Sequence, residues 1–211
     1  RSPSLLGRMS AMGAVEGVLD GGGTVALVGE IGAGTGRMAT ETLRIARQEN
    51  FEIIAIRCSG RASPMDPIDQ LLRDLRRVQG HIEPDTEALA RSVEALSSEG
   101  PLLCLIEEIH HCSEAAELQL EKIIRAAPRL CVVTTGSRAP IHLKAHCVEL
   151  RPLRIAEVQR LLISMLGTPS PPARLAAQLR RMSGGQPAVI VLALKDLVAR
   201  GALVCTVILS Y

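Results

Sequence analysis

The residues from Thr24 to Thr40, TVALVGEIGAGTGRMAT, constrain the fold of this chain more than any other stretch. A short apolar run rich in β-branched residues stops at a glycine-rich turn, and a segment compatible with a helix follows. Gly29, Gly32 and Gly34 permit backbone turns that a Cβ would forbid, so successive N–H groups can converge on an anion at a helix N-terminus. The stretch therefore has the outline of a phosphate-binding loop.

The side chains of the usual loop motif are only partly present. Against G-x-x-x-x-G-K-[S/T], Gly29 and Gly34 match the two glycines, but Thr35 takes the lysine position and Gly36 the position of the magnesium-binding hydroxyl. A hydrogen bond to a charged group contributes roughly 1.5–3 kcal/mol, so loss of the lysine predicts about ten- to hundredfold weaker nucleotide binding. Arg37 falls about 200° around a helix from the lysine position and is expected to point elsewhere. The alternative is an ordinary strand-to-helix turn.

Composition favours one α/β domain with a small addition and disfavours nucleic-acid binding. The chain has 211 residues and is 47% hydrophobic, so it can bury a sizeable core. One Phe, one Tyr and no Trp leave almost no aromatic platform for stacking bases. The net charge of +2 arises from interspersed acids and bases, which gives no basic face. We therefore expect no direct nucleic-acid contact by this segment.

The cysteines and the apolar runs bear on location. Because the cysteines lack C-x-x-C spacing, we predict reduced, buried thiols and a cytoplasmic protein. No leader peptide is recognisable, and no apolar run reaches the roughly 18 residues that a membrane span requires. The chain begins at Arg1 and closes on LVCTVILSY, so we expect an excerpt of a longer polypeptide. The six cysteines are Cys58, Cys104, Cys112, Cys131, Cys147 and Cys205.

Strands and helices are predicted to alternate up to residue 150. After the strand within the opening stretch, the predicted strands are Phe51–Arg57, Leu102–Ile106, Leu130–Thr135 and Cys147–Leu150. The predicted helical segments are Leu5–Leu19, Met38–Gln48, Ile68–Val78, Thr86–Leu96 and Ala115–Ala127, with a polar loop at Ser59–Pro67. Such alternation indicates a parallel sheet covered on both faces.

From Arg151 onward only helices are predicted. They are Ile155–Leu166, Pro172–Met182 and Pro187–Arg200. We therefore expect an α/β core over residues 1–150 and a helical lid over residues 151–211.

Two acids follow the third predicted strand, in LLCLIEE. A buried strand that ends in acids can direct one carboxylate toward a magnesium ion and the next toward an attacking water. Glu107 would take the metal role and Glu108 the water role, although acids after a strand can also belong to a solvated loop. The glycine turn and the acids, in this order, favour a P-loop fold.

The chain resembles, over nearly its whole length, the AAA-like ATPase domain of the large ATP-binding LuxR-type transcription regulators and, more broadly, the STAND group of signal-transduction NTPases. The stretches that carry the resemblance are LLGRMSAM, VALVGEIGAGTGRM as Walker A, LLCLIEEIHHCS as Walker B, VVTTGSR as the sensor strand, VELRPLRIAEVQRLL, and MSGGQPAVIVLALKDLVARGAL as the lid. Family members usually carry a glycine-lysine-serine in the loop, two aspartates in Walker B and a GGNP-like turn, and this chain departs from all three. The resemblance implies a three-layer P-loop NTPase fold, RecA- or AAA-like, with a small helical lid.

The resemblance also assigns site residues by position. Glu107 and Glu108 replace the acidic pair, Arg138 matches an arginine that faces the terminal phosphate, and Pro187 matches a lid proline near the adenine. Arg8 matches an arginine beside the base. The residues implied to line the phosphates are Gly29, Gly32, Gly34, Thr35 and Gly36.

Several of these residues have alternative interpretations. Arg138 has the alternative of a loop cation, Pro187 that of a first-turn helix proline, and Arg8 that of a surface residue. The histidines are not expected to bind metal. Adjacent side chains on a strand or helix point apart, as we expect for His110 and His111. His142 and His146 are expected to be loop residues.

The function implied is an ATP- or ADP-binding switch of a bacterial signalling or transcription regulator, with weak binding between core and lid. Hydrolysis is expected to be impaired or absent, and Mg²⁺ would depend on Glu107. The alternative is a pseudo-ATPase scaffold that binds no nucleotide and mediates protein assembly. The expected partners are other domains of the same polypeptide or further copies of the chain, with no membrane contact.

Overall fold

A computed structural model describes residues 5–58, 66–168 and 170–201 of the protein. Most of the predicted loop Ser59–Pro67, Cys205 and the closing LVCTVILSY lie outside the described residues. The chain divides into two compact units. The sheet unit comprises Ser10–Glu30 and Thr35–Glu149, without the residues not described. The helical unit comprises the described parts of Arg1–Met9, Ile31–Gly34 and Leu150–Tyr211.

The sheet unit is built on five parallel strands in the order β2-β3-β4-β1-β5. The strands are β1 (Gly23–Val28), β2 (Glu52–Arg57), β3 (Leu102–Glu107), β4 (Cys131–Gly136) and β5 (His146–Glu149). Parallel pairing brings the carboxyl ends of all five strands to one edge of the sheet. The residues after β1, β3 and β4 therefore emerge on the same side.

The sequence of β3 explains why the sheet is covered on both faces. Residues 102–106 are all buried, although side chains alternate between the two faces of a strand. Leu102, Cys104 and Ile106 belong to a core cluster that also contains residues of the helices at 66–79, 86–99 and 114–126. Leu103 and Leu105 lie on the opposite face, and both side chains are completely buried. A strand with this pattern is stable only between two layers of helices.

Five helices accompany the sheet. They are α1 (Met9–Gly21), α2 (Thr35–Gln48), α3 (Asp66–Gln79), α4 (Thr86–Glu99) and α5 (Glu114–Ala126). Local capping fixes two of their starts. The Asp85 carboxylate accepts hydrogen bonds from the backbone N–H groups of Glu87 and Ala88 at the start of α4. The Ser113 hydroxyl accepts one from Ala116 at the start of α5.

The helical unit contains α6 (Ile155–Leu166), α7 (Ala173–Ser183) and α8 (Pro187–Ala199). These helices bury a separate apolar cluster of their own. In the first turn of α6, the carboxylate of Glu157 accepts a hydrogen bond from the backbone N–H of Arg154 at 2.7 Å. Gly167, with φ of 68°, ends it in the left-handed conformation that glycine adopts readily.

The predicted fold class is confirmed, since the structure has the expected five-stranded parallel sheet with flanking helices. Two sequence-based predictions about β5 were wrong. Cys147 is exposed because β5 is an edge strand of four residues, whereas Cys58, Cys104, Cys112 and Cys131 are buried as predicted. His146 is the first residue of β5 and not a loop residue. Among the described residues, no helix is long and apolar enough to cross a membrane.

Candidate functional site

The glycine-rich loop joins β1 to α2 and has the backbone that its glycines predict. Gly32 and Gly34 have φ of 90° and 101°, which residues with a Cβ rarely adopt. A Cβ added to Gly34 or Gly36 would meet none of the described atoms within 4 Å. The space beside these two glycines is therefore not filled by side chains of the described chain. α2 starts at Thr35 and has no acidic residue in its first turn, so its positive dipole end is not neutralised locally.

Other backbone groups of the loop already have partners. The N–H of Gly29 donates to the carbonyl of Gly136 at 3.0 Å, which extends the pairing of β1 with β4. The carbonyl of Gly32 accepts the N–H of Ala188 at 3.2 Å, within the helical unit. Gly34, Thr35 and Gly36 lie at the start of α2, where the first N–H groups of a helix have no acceptor within the helix, so their amides are suited to binding an anion.

Arg8 is buried and donates a hydrogen bond to a backbone carbonyl oxygen of the glycine-rich loop. It is 6% exposed, and its guanidinium donates to the carbonyl oxygens of Ala33 at 2.7 Å, Arg151 at 2.9 Å and Gly7 at 3.1 Å. Burial lowers the pKa of Arg8, while the charge of Glu157 acts in the opposite direction. The surface alternative for Arg8 is therefore wrong. Its position beside a base stays a prediction.

The two acids after β3 have different backbones. Glu107 is the last residue of β3, and its carbonyl accepts the N–H of Cys58 at 2.9 Å. Glu108 has left-handed backbone angles, φ 58° and ψ 38°. A residue other than glycine, Asn or Asp is uncommon there, because its Cβ crowds the backbone, and such strain is often found at functional sites. The roles of Glu107 toward a metal and of Glu108 toward a water stay predictions.

His110 joins the acidic turn to the end of β4. Its Nδ1 accepts the N–H of Ser137 at 3.3 Å, its carbonyl accepts Nη2 of Arg138 at 3.2 Å, and its Nε2 lies 3.6 Å from Oε2 of Glu108. Burial and the charges of His111 and Arg138 lower the pKa of His110, and Glu108 opposes them. Arg138 is thereby placed next to the acidic turn, within the sheet unit.

The prediction that His110 and His111 point apart was wrong. Their ring centroids lie 4.1 Å from each other. The reason is local: Ile109–His111 is a single 3-10 turn that begins directly after the left-handed Glu108, so neither strand nor α-helix geometry applies. Sequence reasoning missed that Glu108, His110 and His111 lie close together. The available signal was the spacing E-x-H-H directly after a buried strand.

Pro187 is the first residue of α8, as its position alone predicts. It follows a tight turn in which Gly184 and Gly185 have φ of 62° and 84°. The carbonyl of Gly185 accepts the N–H of Leu153 at 2.8 Å, which fixes the turn within the helical unit. Its predicted place near an adenine stays a prediction.

A Mg²⁺ site of the usual P-loop kind does not fit the residues present. Mg²⁺ prefers octahedral oxygen ligands and is held in such loops by a Ser or Thr hydroxyl together with an acid. Gly36 offers no side-chain oxygen at the hydroxyl position, which leaves Glu107 as the acid of the pair. The chain therefore supplies the acid, but not the hydroxyl, of the two side-chain ligands that hold Mg²⁺ in such loops.

The folded chain is similar to P-loop ATPases of known structure. No protein-family model and no curated protein matches it. A signal-transduction ATPase with numerous domains and a tetratricopeptide repeat sensor, from Pyrococcus horikoshii, superposes with a TM-score of 0.63 at 14% identity, over 89% of this chain and 29% of that one. The Aeropyrum pernix ORC2 protein in ADPNP–ADP complexes gives 0.61 at 17% identity, over 97% and 67%.

AMPPCP-bound DnaA from Aquifex aeolicus gives a TM-score of 0.56 at 11% identity, over 93% of this chain and 65% of that one. The chain also spans 62% of a DNA replication initiation factor that it matches with a TM-score of 0.60. At these identities the likeness establishes the fold. The protein has the α/β architecture of the P-loop NTPases, in the form found in AAA-like ATPases.

Proposed function

We propose that this chain is a nucleotide-binding switch domain that binds ATP or ADP weakly and hydrolyses ATP slowly or not at all. The observation that carries the proposal is the loop itself. Gly34 has a positive φ, the space beside Gly34 and Gly36 is open among the described residues, and a helix with no acidic residue in its first turn begins at Thr35. Main-chain amides arranged in this way attract a polyphosphate without a cationic side chain.

The comparisons support the proposal at the level of fold. Two proteins with this fold were solved with adenine nucleotides or their analogues, DnaA with AMPPCP and ORC2 with ADPNP and ADP. The loss of the lysine and hydroxyl at positions 35 and 36 argues for weak binding and against efficient transfer of a phosphoryl group. Arg138 would then be the residue nearest a terminal phosphate, and Glu107 and Glu108 would be the acids beside it.

Calorimetry with ATP and with ADP, each with and without Mg²⁺, tests the proposal. We expect a saturable heat with a dissociation constant in the range of roughly 0.1–10 mM, which corresponds to a ten- to hundredfold loss from a site of about 10–100 μM. Binding should depend little on Mg²⁺, since its hydroxyl ligand is missing. Absence of both a heat and a thermal shift at 10 mM nucleotide, a concentration at the end of that range, would contradict the proposal.

The second candidate function is a pseudo-ATPase scaffold that binds no nucleotide and mediates assembly. The identities of Thr35 and Gly36 favour it. The double substitution Thr35→Lys with Gly36→Ser separates the two candidates. If the unmodified chain binds weakly, the double variant should bind about ten- to hundredfold more tightly. If only the double variant binds, the scaffold is the correct function.

The wider context is also a proposal. We infer that the domain belongs to a bacterial signalling or transcription regulator of LuxR type, with residues 1–150 as nucleotide core and 151–211 as lid. Its partners are then other domains of one polypeptide or further copies of this chain. The five described cysteines are all free thiols, which supports a reducing, cytoplasmic location. Calorimetry of the full-length protein with ATP and with ADP would test the switch in this context.

A further inference from the structure

The turn after β3 brings together one carboxylate and two imidazoles. Glu108, His110 and His111 each have a ligand atom, and these atoms all lie within 4.8 Å of one another. Among the described residues, this is the one group of three or more His, Cys, Asp or Glu side chains with that property. The Glu108 and His110 side chains are 35% and 17% exposed, and His111 is exposed. The cluster is therefore open to an ion from solvent.

The residue types select the class of ion. Imidazole suits zinc, copper, nickel and cobalt, whereas Mg²⁺ and Ca²⁺ prefer oxygen ligands alone. Metal–nitrogen and metal–oxygen bonds of about 2.0–2.2 Å place the ligand atoms of a tetrahedral site about 3.3–3.6 Å apart. Nε2 of His110 and Oε2 of Glu108 are 3.6 Å apart, which is within that range. His111 is exposed, and its ligand atom lies within 4.8 Å of those of the other two residues.

We propose that Glu108, His110 and His111 bind one divalent transition-metal ion of the zinc class, with a fourth position left to water. This proposal does not rest on nucleotide binding. It explains why two imidazoles and a carboxylate meet in a single turn. It also gives a role to the left-handed backbone at Glu108, the residue directly before the turn that carries both histidines.

Binding requires a proton to move within the His110 ring. Nδ1 now accepts the N–H of Ser137, so the neutral ring carries its proton on Nε2, the nitrogen that faces Glu108. A metal on Nε2 needs that proton on Nδ1, which breaks the Ser137 contact. The contact is long at 3.3 Å and exposed, so water can replace it.

Nearby charges make a directional prediction possible. Arg138 donates to the carbonyl of His110 at 3.2 Å, and its positive charge opposes a bound cation. Substitution Arg138→Gln should therefore tighten metal binding. A metal held elsewhere on the surface would not respond to this change.

Titration of the intact chain with Zn²⁺, followed by calorimetry, and with Co²⁺, followed by absorption, tests the site. We expect one equivalent, with binding at least about tenfold weaker in Glu108→Gln and in His111→Ala. The matched control is His81→Ala. The His81 side chain is 82% exposed, and its Nε2 lies 3.3 Å from Oε1 of Glu83, but among the described residues these two side chains have no third metal-ligating neighbour. This substitution should leave the affinity unchanged. Circular dichroism of each variant verifies the fold.

Three results would overturn the proposal. One is the absence of saturable binding to the unmodified chain. Another is an affinity that survives both Glu108→Gln and His111→Ala. The third is a sulfur-to-cobalt charge-transfer band, which would place the metal on cysteines such as the exposed Cys147.

Discussion

Arg8 illustrates how a single buried side chain can stabilise a loop. Its guanidinium satisfies three carbonyl oxygens with the planar geometry that a lysine cannot reproduce. Arg8→Lys should lower the free energy of unfolding by about 1–3 kcal/mol, since buried carbonyls lose their donors. Arg174 in α7 is exposed, and Arg174→Lys is the matched control, with no expected change. Urea denaturation measures both, and equal values for the two variants would contradict this role.

Glu108 has a backbone conformation that its side chain does not favour. Asn tolerates the left-handed region far better than Glu. In the absence of metal, Glu108→Asn should therefore raise the free energy of unfolding by about 0.5–1 kcal/mol. Glu99, the exposed last residue of α4, has no such backbone, and Glu99→Asn should give no gain. A loss of stability in Glu108→Asn would show that the left-handed geometry is not a strain.

At the scale of elements, the turn between α7 and α8 depends on one glycine more than on its neighbour. A Cβ on Gly185 would lie 2.7 Å from the carbonyl oxygen of Leu153 and 2.8 Å from Nε of Arg180. A Cβ on Gly184 would meet nothing within 4 Å among the described residues, although both glycines have positive φ. Gly184→Ala should cost about 1–2 kcal/mol from backbone strain alone.

Gly185→Ala should cost clearly more than Gly184→Ala, because the backbone of Leu153 must move as well. The difference in thermal unfolding midpoint between the two variants is the measurement. An equal shift would mean that the turn can relax around the added methyl group.

The interactions of Glu157 in the first turn of α6 predict that the free energy of unfolding falls at acidic pH. Burial alone would raise the pKa of Glu157, but hydrogen bonds from Arg154 and the charges of Arg154 and Arg8 hold that pKa below its ordinary value of about 4.3. The unfolded chain therefore binds the proton more tightly, so Glu157 stabilises the fold above about pH 4.3 and loses this contribution as pH falls through its folded value.

Glu157→Gln should accordingly lower stability at pH 7 and reduce the loss of stability between about pH 5 and pH 3. Urea denaturation across this range measures the effect, with Glu99→Gln as an exposed control. A parallel pH profile for Glu157→Gln and the unmodified chain would contradict the assignment.

At the scale of the whole molecule, periodicity was sufficient for the sheet and the helices. The apolar run at 102–106 can be stable only inside a covered parallel sheet, and α6 was predicted with its observed bounds. The assignment of Ile31–Gly34 to the helical unit could not be predicted, because it depends on contacts with Arg8 and Ala188 that are distant in sequence. The histidine pair was missed because pattern rules assume regular strands and helices, whereas a left-handed residue reoriented both rings.

The central claim is that the amides of Gly34, Thr35 and Gly36 bind a polyphosphate without the lysine and hydroxyl of the usual motif. The most direct measurement is a titration of the ¹⁵N-labelled chain with ADP, followed through these three backbone N–H resonances. We expect all three resonances to shift and to saturate together, at concentrations of roughly 0.1–10 mM. Resonances that stay in place at about 10 mM nucleotide, while the protein remains folded, would contradict binding at these amides.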